Sequence, residues 1–453
     1  MSMLQEAGPS ASAGHPWFGE MRLRPAAGAR TVRELLRGEM RDIGLPYQPL
    51  LPAAPFALPR ASYAELFRVT SALLDLVRRA ALESAPTTRG RLAAYRMPDS
   101  EHQLFVADPF TEERYADCVA RPDVVIGPDG PQFLELNVSG ALGGPVEVHG
   151  HLDVWRALHT DADGRLPFAS HDPYTVRTEM FRTLCAELGV APRVAVLGSA
   201  RDQGGSTRYF DLQVAHFNSH GLMARFFEPE DLHEAWDCPP HLRHPVGLRD
   251  FTIPDWAELG IDTAPVQEAL DHGCLLVGTQ TSTFLSSKLT LGMLSEGRPW
   301  MSAAECALVD TYLPWTRILS DRRTTRGGRE VDLVRYAVDH RESLVLKAGI
   351  GMSGKQVVIG RDTDQGVWEA AVAEAAEAST SVVQDFVEPR TCGLAVVSDG
   401  VDEPYDMEVV PVLGPLLFAG RPAGVFTRFT GDLTTGIVSV LGANSSVNCA
   451  VAV

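Results

Sequence analysis

The spacing of apolar residues divides the chain into a helical beginning and a longer stretch in which strands alternate with helices. From about residue 30 to residue 95, apolar positions recur three to four residues apart, which predicts helices capped by Thr31 and Ser62. Over roughly 165–290, short buried segments alternate with amphipathic ones, and this alternation predicts a parallel, Rossmann-like sheet. The charged segment "SDRRTTRGGREVD" predicts a loop near 320–332, and further short strands are predicted between residue 343 and the C-terminus. The predicted fold class is therefore α/β.

The net charge and the cysteine content limit the classes of molecule that this chain is expected to bind. The 453 residues include 58 acidic and 40 basic side chains, giving a formal charge of −18, and such a chain repels nucleic-acid backbones. A small anionic nucleotide can still bind where a few cations are focused in one cleft. The 7 cysteines are scattered without a C-x-x-C pair, which argues against structural zinc and predicts a reducing, cytoplasmic location. No apolar run approaches about 18 residues, so no membrane partner is expected.

Two segments predicted to form neighbouring strands carry carboxylates. The segment "ARPDVV" holds Arg121 and Asp123, and "FLELNV" holds Glu135 and Asn137. Side chains alternate along a strand, so the two members of each pair share a face. Carboxylate and amide oxygens suit Mg²⁺, and an arginine beside them suits a carboxylate or phosphate. A single E-x-N is also common as a capping or surface feature, so the residues alone leave this role open.

The glycine-rich segment "SLVLKAGIGMSGKQVVIGRD" is one residue short of a P-loop. Gln356 stands where a P-loop needs a magnesium-binding hydroxyl, and the β-branched residues that follow predict a strand instead of a helix. A glycine hairpin between antiparallel strands can still hold phosphates through its backbone N–H groups. Lys347, at the end of the leading strand, would add a positive charge. An ordinary turn is the alternative interpretation.

The order of these features resembles the ATP-grasp superfamily. A strand ending in Lys347, a glycine hairpin, a helix and the strand "VVQDFVEP" follow one another as in its nucleotide-binding part. Because the E-x-N pair lies upstream of them, the chain is similar to the circularly permuted branch that includes glutathionylspermidine synthetase and eukaryotic glutathione synthetase. The segments "SSKLTLGMLSE" and "AGVFTRFTGDL" resemble its lysine- and arginine-bearing segments. The resemblance runs from about residue 118 to residue 450 and implies an α+β ATP-grasp core.

The resemblance also implies a reaction and a set of site residues. It implies an ATP- and Mg²⁺-dependent carboxylate–amine ligase that makes an amide or peptide bond through an acylphosphate, with amino acids or short peptides as the expected substrates. Arg121 and Arg428 are implied as catalytic residues. The implied magnesium ligands are Asp123, Glu135 and Asn137, and the implied substrate contacts are Ser139 and Gly140. The implied ATP-binding residues are Lys288, Lys347, Gly349, Gly351, Met352, Ser353, Gly354, Gln384, Phe386 and Val387.

The predicted organisation has six segments. They are a disordered leader (1–15), a helical, substrate-side region (16–117), the magnesium-ligand strands (118–160), a Rossmann-like domain (165–290), a nucleotide-binding subdomain (300–390) and C-terminal strands that complete the core (391–453).

Several alternatives stay open. A non-catalytic nucleotide-binding homologue and a small-molecule kinase are the alternative functions, and a homodimer is an open alternative to a monomer. His149 and His151, in "EVHGHLDVW", are two positions apart and follow the glycine-rich segment after Asn137, and we expect them to line a substrate pocket or cap a helix instead of binding zinc.

Overall fold

The computed structural model describes residues 15–19, 22–44, 47–97, 104, 108–351, 356–433 and 445–453. Nearly all of the predicted leader at 1–15 lies outside these residues, as do three predicted ATP-binding residues, Met352, Ser353 and Gly354. In the part of the chain that is described, no helix combines the length and apolar character needed to cross a bilayer.

Helices and strands alternate along the chain, so the predicted α/β class is confirmed. The helices are α1 (Ala29–Asp42), α2 (Arg60–Glu83), α3 (Thr88–Ala94), α4 (Pro109–Arg114), α5 (Pro145–His159), α6 (Pro173–Leu188), α7 (Arg208–Ser219), α8 (Ile253–Glu258), α9 (Ala264–Asp271), α10 (Ser282–Ser286), α11 (Lys288–Ser295), α12 (Ala303–Tyr312), α13 (Leu333–Asp339) and α14 (Gln365–Ala378). The strands are β1 (Leu50–Pro52), β2 (Phe56–Leu58), β3 (Val119–Gly127), β4 (Gly130–Val138), β5 (Arg193–Leu197), β6 (Met223–Phe227), β7 (Val246–Arg249), β8 (Leu275–Val277), β9 (Thr316–Ile318), β10 (Arg323–Arg326), β11 (Arg329–Asp332), β12 (Leu344–Ala348), β13 (Val357–Ile359), β14 (Ser381–Asp385), β15 (Cys392–Ser398), β16 (Tyr405–Phe418), β17 (Arg421–Thr430) and β18 (Ser445–Ala452).

The strands form three sheets of four or more strands and one separate hairpin. The main sheet runs β1-β15-β16-β17-β18-β2, and β3 joins it by pairing with both β16 and β4. A second sheet, β13-β12-β14-β9, is antiparallel throughout. The third sheet, β6-β5-β7-β8, is parallel, as the alternation of strands and helices predicts. The boundaries predicted for separate domains stay a prediction.

Three local features differ from the sequence analysis. Strands β1 and β2 interrupt a segment predicted as helical, because strands of three residues are too short to show a period of two. Gly28 and Pro59 precede α1 and α2, so Thr31 and Ser62 lie inside the helices and do not cap them. The segment near 320–332, predicted as a loop, forms the β10–β11 hairpin around two glycines with positive φ.

Gly140, just after β4, lies where the main sheet meets the parallel sheet. A Cβ atom added to Gly140 would be 2.1 Å from the carbonyl oxygen of Arg249 and 2.8 Å from that of Val277. Both oxygens belong to the ends of parallel strands and cannot move independently of the sheet. Only glycine allows the two sheets to approach this closely.

Replacing Gly140 with alanine is expected to lower the free energy of unfolding by about 3 kcal/mol, because the new methyl group overlaps two backbone carbonyls. Gly38→Ala in α1 is the matched control, since its Cβ atom would enter open space. That variant should gain about 0.5–1 kcal/mol, as alanine favours a helix interior. Thermal unfolding followed by circular dichroism compares the two. Equal melting temperatures would show that the crossing at Gly140 is not tight.

Candidate active site

A cavity of about 530 Å³ lies between the main sheet and the β13-β12-β14-β9 sheet, and the end of β7 and the start of α11 complete its wall. It brings together most of the site residues predicted from the sequence. Those that line it are Arg121, Asp123, Glu135, Asn137, Ser139, Lys288, Lys347, Gly351, Gln384, Phe386, Val387 and Arg428. Gly140 and Gly349 do not line it. The segments near residues 121–137 and 345–387, far apart in sequence, therefore face one another.

The carboxylates come from the β3–β4 hairpin. Asp123 pairs directly opposite Glu135, and Arg121 opposite Asn137. A register shift follows Asp123, so the strand bends at this point. The Asn137 side-chain amide donates a hydrogen bond of 3.3 Å to Glu135 Oε1. Three oxygen-bearing side chains thus share one face of the hairpin, directed into the cavity.

Lys288 is the first residue of α11 and is buried. Its Nζ lies 3.0 Å from Glu135 Oε2 and 3.4 Å from the carbonyl oxygen of Gly351. Burial alone would raise the pKa of the Glu135 carboxyl, but Lys288 and Lys347 together hold it well below its usual range. Glu135 is therefore ionised at any physiological pH, as a ligand for a cation must be.

Lys347, at the end of β12, has neutral partners. Its ammonium donates to Gln384 Oε1 at 2.6 Å and to the carbonyl of Leu134 at 3.4 Å. In the described part of the chain it forms no ion pair within 4.0 Å. Burial lowers the pKa of Lys347 to about 8, although Glu135 opposes the shift. Its hydrogen-bond partners are neutral, so no ion pair of this ammonium with a described residue has to open when an anion approaches.

Two arginines contact Asp123, the other carboxylate of the β3–β4 hairpin. Arg428 on β17 forms an ion pair with Asp123, and Arg121 Nη2 lies 3.5 Å from Asp123 Oδ1. Arg121 also donates to the carbonyl oxygen of Gly143 at 2.6 Å, which ties the loop after β4 to the strand pair. Burial lowers the pKa of the Arg121 guanidinium, although Asp123 opposes the shift. Both guanidinium groups line the cavity and present several donors each.

Gly349 and Gly351 of the glycine hairpin have different surroundings, although the sequence analysis assigns both to ATP binding. Gly349 donates its N–H to the carbonyl of Thr380 at 2.8 Å and accepts from the Lys288 N–H at 2.8 Å, so both backbone groups are engaged in packing. Gly351 lines the cavity. The hairpin joins antiparallel strands, as predicted. Phosphate contact by Gly349 stays a prediction, and its hydrogen bonds do not support it.

Part of the cavity wall is apolar. Phe386 and Val387 follow β14 and face the cavity, and the Phe386 N–H is already bonded to the carbonyl of Ser343 at 2.8 Å. Other apolar residues in the lining are Val125, Leu134, Val345, Ile359, Val410 and Val412. A cavity with apolar and charged walls is typical of sites for small polar ligands.

Ser139 and Gly140 have different surroundings. Ser139 lines the cavity, and its Oγ accepts the N–H of Ala141 at 3.2 Å. Gly140 lies between two strand ends, and this close packing is sufficient to require a glycine there without any contact to a ligand. Substrate contact by either residue stays a prediction.

Arg249, at the carboxyl end of β7, is a functional candidate that the sequence analysis missed. It is 8% exposed and lines the cavity, and its Nε has no hydrogen-bond partner among the described residues. Its other contacts are long, 3.4 Å to the carbonyl of Gly278 and 3.5 Å to Gln280 Oε1. Burial lowers the pKa of the Arg249 guanidinium to about 10, although Glu112 opposes the shift. Its position at the end of a parallel strand, where ligands commonly bind, is the signal that could have identified it.

His149 and His151 do not line this cavity, and both lie inside α5 and do not cap it. His149 lies with Asp153 and Asp172 in a group whose donor atoms are within 4.8 Å of one another, close enough in principle for a metal ion. Arg156 Nη1, however, is 3.0 Å from Asp172 and 3.4 Å from Asp153. Arg156 and His149 both contact the two carboxylates, so we interpret the group as a contact between α5 and the start of α6.

The polar residues that line the cavity include a donor set that fits a divalent cation. Asp123 Oδ1 is buried without a hydrogen-bond partner among the described residues, and the Asn137 side chain contributes a further oxygen. Mg²⁺ prefers such an all-oxygen donor set. Four cations in the same lining outnumber the two carboxylates predicted as metal ligands, Asp123 and Glu135, and this local excess fits a polyphosphate; the cations are Arg121, Lys288, Lys347 and Arg428.

No protein-family model and no curated protein matches this chain. Among solved structures, it is similar to a glutathione synthetase-like effector from Globodera pallida in its apo form, with 13% identity, a TM-score of 0.57 and coverage of 95% of this chain and 98% of the other. A putative gamma-glutamylcysteine synthetase from Methylobacillus flagellatus also matches, at 13% identity over 85% of this chain and 87% of the other, but its TM-score of 0.38 is too low to support an argument. The first similarity shows that this chain shares its fold with a glutathione synthetase-like protein.

Proposed function

We propose that this protein is an ATP- and Mg²⁺-dependent carboxylate–amine ligase of the ATP-grasp type. It would join an acid to an amine in an amide or peptide bond and release ADP and phosphate, with amino acids or short peptides as substrates. The observation that carries the proposal is the meeting of Asp123 and Glu135 with Lys288 and Lys347 in one cavity. These residues come from segments more than 150 positions apart in sequence.

The side chains have chemistry suited to that reaction. When bound, ATP would supply the phosphoryl group that converts the acid into an acylphosphate, and Mg²⁺ would neutralise phosphate charge. Lys288 and Lys347 place positive charge where transferred oxygens gain negative charge. Arg121 can hold an attacking carboxylate by paired hydrogen bonds, and Arg428 adds positive charge for the phosphoryl group that is transferred. Water must be kept from the activated acid, which it would otherwise hydrolyse.

Release of ADP from ATP tests this proposal. The purified protein is incubated with ATP, MgCl₂ and pooled carboxylic and amino acids, and each pool is then divided until one acid–amine pair remains. We expect ADP release that requires both substrates, with an amide product of matching mass. Nucleotide binding without ADP release would favour the non-catalytic alternative. A phosphorylated product formed without an amine would favour a small-molecule kinase.

Arg249 is expected to hold a carboxylate of one substrate, since the hydrogen bonds that its buried guanidinium forms with the described residues are long. Arg249→Met should therefore raise the KM of that substrate about 30-fold while changing kcat less, because the lost interaction is present before reaction. Steady-state kinetics with each substrate varied in turn measures the effect. Arg243→Met is the control, as Arg243 is exposed on the same part of the chain. A change confined to kcat would place Arg249 among the groups that act on the transition state.

A further inference from the structure

The residues proposed to bind a metal ion and those proposed to bind phosphates pair with one another in this structure. Lys288 Nζ is 3.0 Å from Glu135 Oε2, and Arg428 forms an ion pair with Asp123. We call the Lys288–Glu135 and Arg428–Asp123 contacts the two exchange pairs. Each pair joins one member of the proposed metal site to one member of the proposed nucleotide site.

Both exchange pairs are shielded from solvent. The side chains of Lys288 and Glu135 are 7% and 24% exposed, and those of Arg428 and Asp123 are 16% and 12% exposed. Charges in such surroundings interact strongly and are weakly screened by salt. A divalent ion bound to these carboxylates would lie close to both cations and be repelled by them. The same two cations cannot fully compensate the carboxylates and a polyphosphate at once.

We propose that Lys288 and Arg428 block the binding of divalent ions at Glu135 and Asp123. The block is removed when a nucleotide polyphosphate attracts the two cations away from the carboxylates. The inference rests on the proposed function, because it requires a nucleotide to occupy the cavity. Nucleotide and divalent ion then bind with positive coupling, and each increases the affinity for the other.

The position of Lys347 would let a nucleotide phosphate bind before either exchange pair opens. It stands outside both pairs, bonded to Gln384, so its charge is available to a phosphate before any ion pair opens. Lys288 also contacts the carbonyl of Gly351 in the glycine hairpin. Movement of Lys288 towards a phosphate therefore releases Glu135 and breaks a contact with the hairpin in one step.

Binding of Mn²⁺ in the absence of nucleotide tests the inference. Electron paramagnetic resonance reports free Mn²⁺ and gives its dissociation constant for the wild type and for Lys288→Met. Removing the cation beside Glu135 should lower that dissociation constant at least about tenfold. Lys288→Arg, which keeps the charge, should bind Mn²⁺ as the wild type does. The gain should disappear in the Lys288→Met, Glu135→Gln double variant.

Arg428→Met provides a second measurement if Lys288→Met does not fold. It removes the ion pair of Asp123 with Arg428, while Arg121 Nη2 stays 3.5 Å from Asp123 Oδ1, and it should therefore bind Mn²⁺ several-fold more tightly than the wild type. Mn²⁺ affinity that is equal to or weaker than wild type in the folded variants overturns the inference. Calorimetric titration of the wild type with ADP in EDTA tests the proposed function separately, since absence of ADP binding would contradict the nucleotide site while leaving the Mn²⁺ result interpretable.

Discussion

Replacing Glu135 with glutamine is expected to lower kcat for ADP release by about 10²- to 10³-fold, because the variant removes a charged oxygen ligand and keeps the shape of the side chain. The wild-type carboxyl is ionised, since Lys288 and Lys347 hold its pKa well below the usual range against the opposing effect of burial. Glutamine leaves Lys288 without its ion-pair partner at 3.0 Å. Steady-state ADP release with saturating substrates measures the loss.

Glu147→Gln is the matched control for this experiment. Glu147 also lines the cavity, but its Oε2 accepts the N–H of Gly144 at 2.8 Å, and glutamine can keep that bond. Its kcat should stay within a few-fold of wild type. If Glu135→Gln behaved in the same way, Glu135 would not be a metal ligand. Circular dichroism on both variants separates a loss of fold from a loss of chemistry.

The part of the site built on one hairpin could be predicted from the sequence. Arg121 and Asp123 alternate along one strand and Glu135 and Asn137 along the next, and the turn between the strands is short. Local rules therefore bring four side chains to one face without any knowledge of the remaining fold. The glycine hairpin after Lys347 followed from the same kind of local argument, since β-branched residues flank it.

The part of the site built by long-range packing could not be predicted in this way. Arg249 faces the cavity because β7 ends where Gly140 crosses it, and nothing near Arg249 in sequence indicates that crossing. Gly349 and Gly351 look equivalent in the sequence, but only Gly351 lines the cavity, because Gly349 packs against Thr380. These assignments depend on residues more than 20 positions away along the chain.

Charged strands were the other source of error. The β10–β11 hairpin has arginines on both faces and the acidic residues Glu330 and Asp332 on one, so it shows no alternation of apolar and polar positions. Its turn at Gly327 and Gly328 has positive φ at both residues, which is the backbone of a tight hairpin turn. The two glycines were a better indicator than hydrophobicity in this segment.

Replacing Lys347 with methionine is expected to weaken nucleotide binding about 10²-fold, because its buried ammonium makes its hydrogen bonds to neutral oxygens and no ion pair has to break before it meets an anionic ligand. The wild type should also show a pH dependence. Burial lowers the pKa of Lys347 to about 8 in the free protein, and a bound phosphate would raise that pKa again. Calorimetric titration with ADP from pH 6.5 to about pH 9.5 measures both effects.

The sign of the pH effect follows from which state binds the proton more tightly. Below about pH 8 the Lys347 ammonium is charged both before and after ADP binds, so the affinity for ADP does not change with pH. Above about pH 8 the binding of ADP must take up a proton, so the affinity falls by up to about tenfold per pH unit. Lys347→Met should show a flat profile. Gln384→Glu would place a carboxylate beside Lys347, where Gln384 Oε1 now accepts at 2.6 Å, and should both weaken binding and move the fall to higher pH. A wild-type profile that stays level to about pH 9.5 would mean that Lys347 does not contact the phosphates.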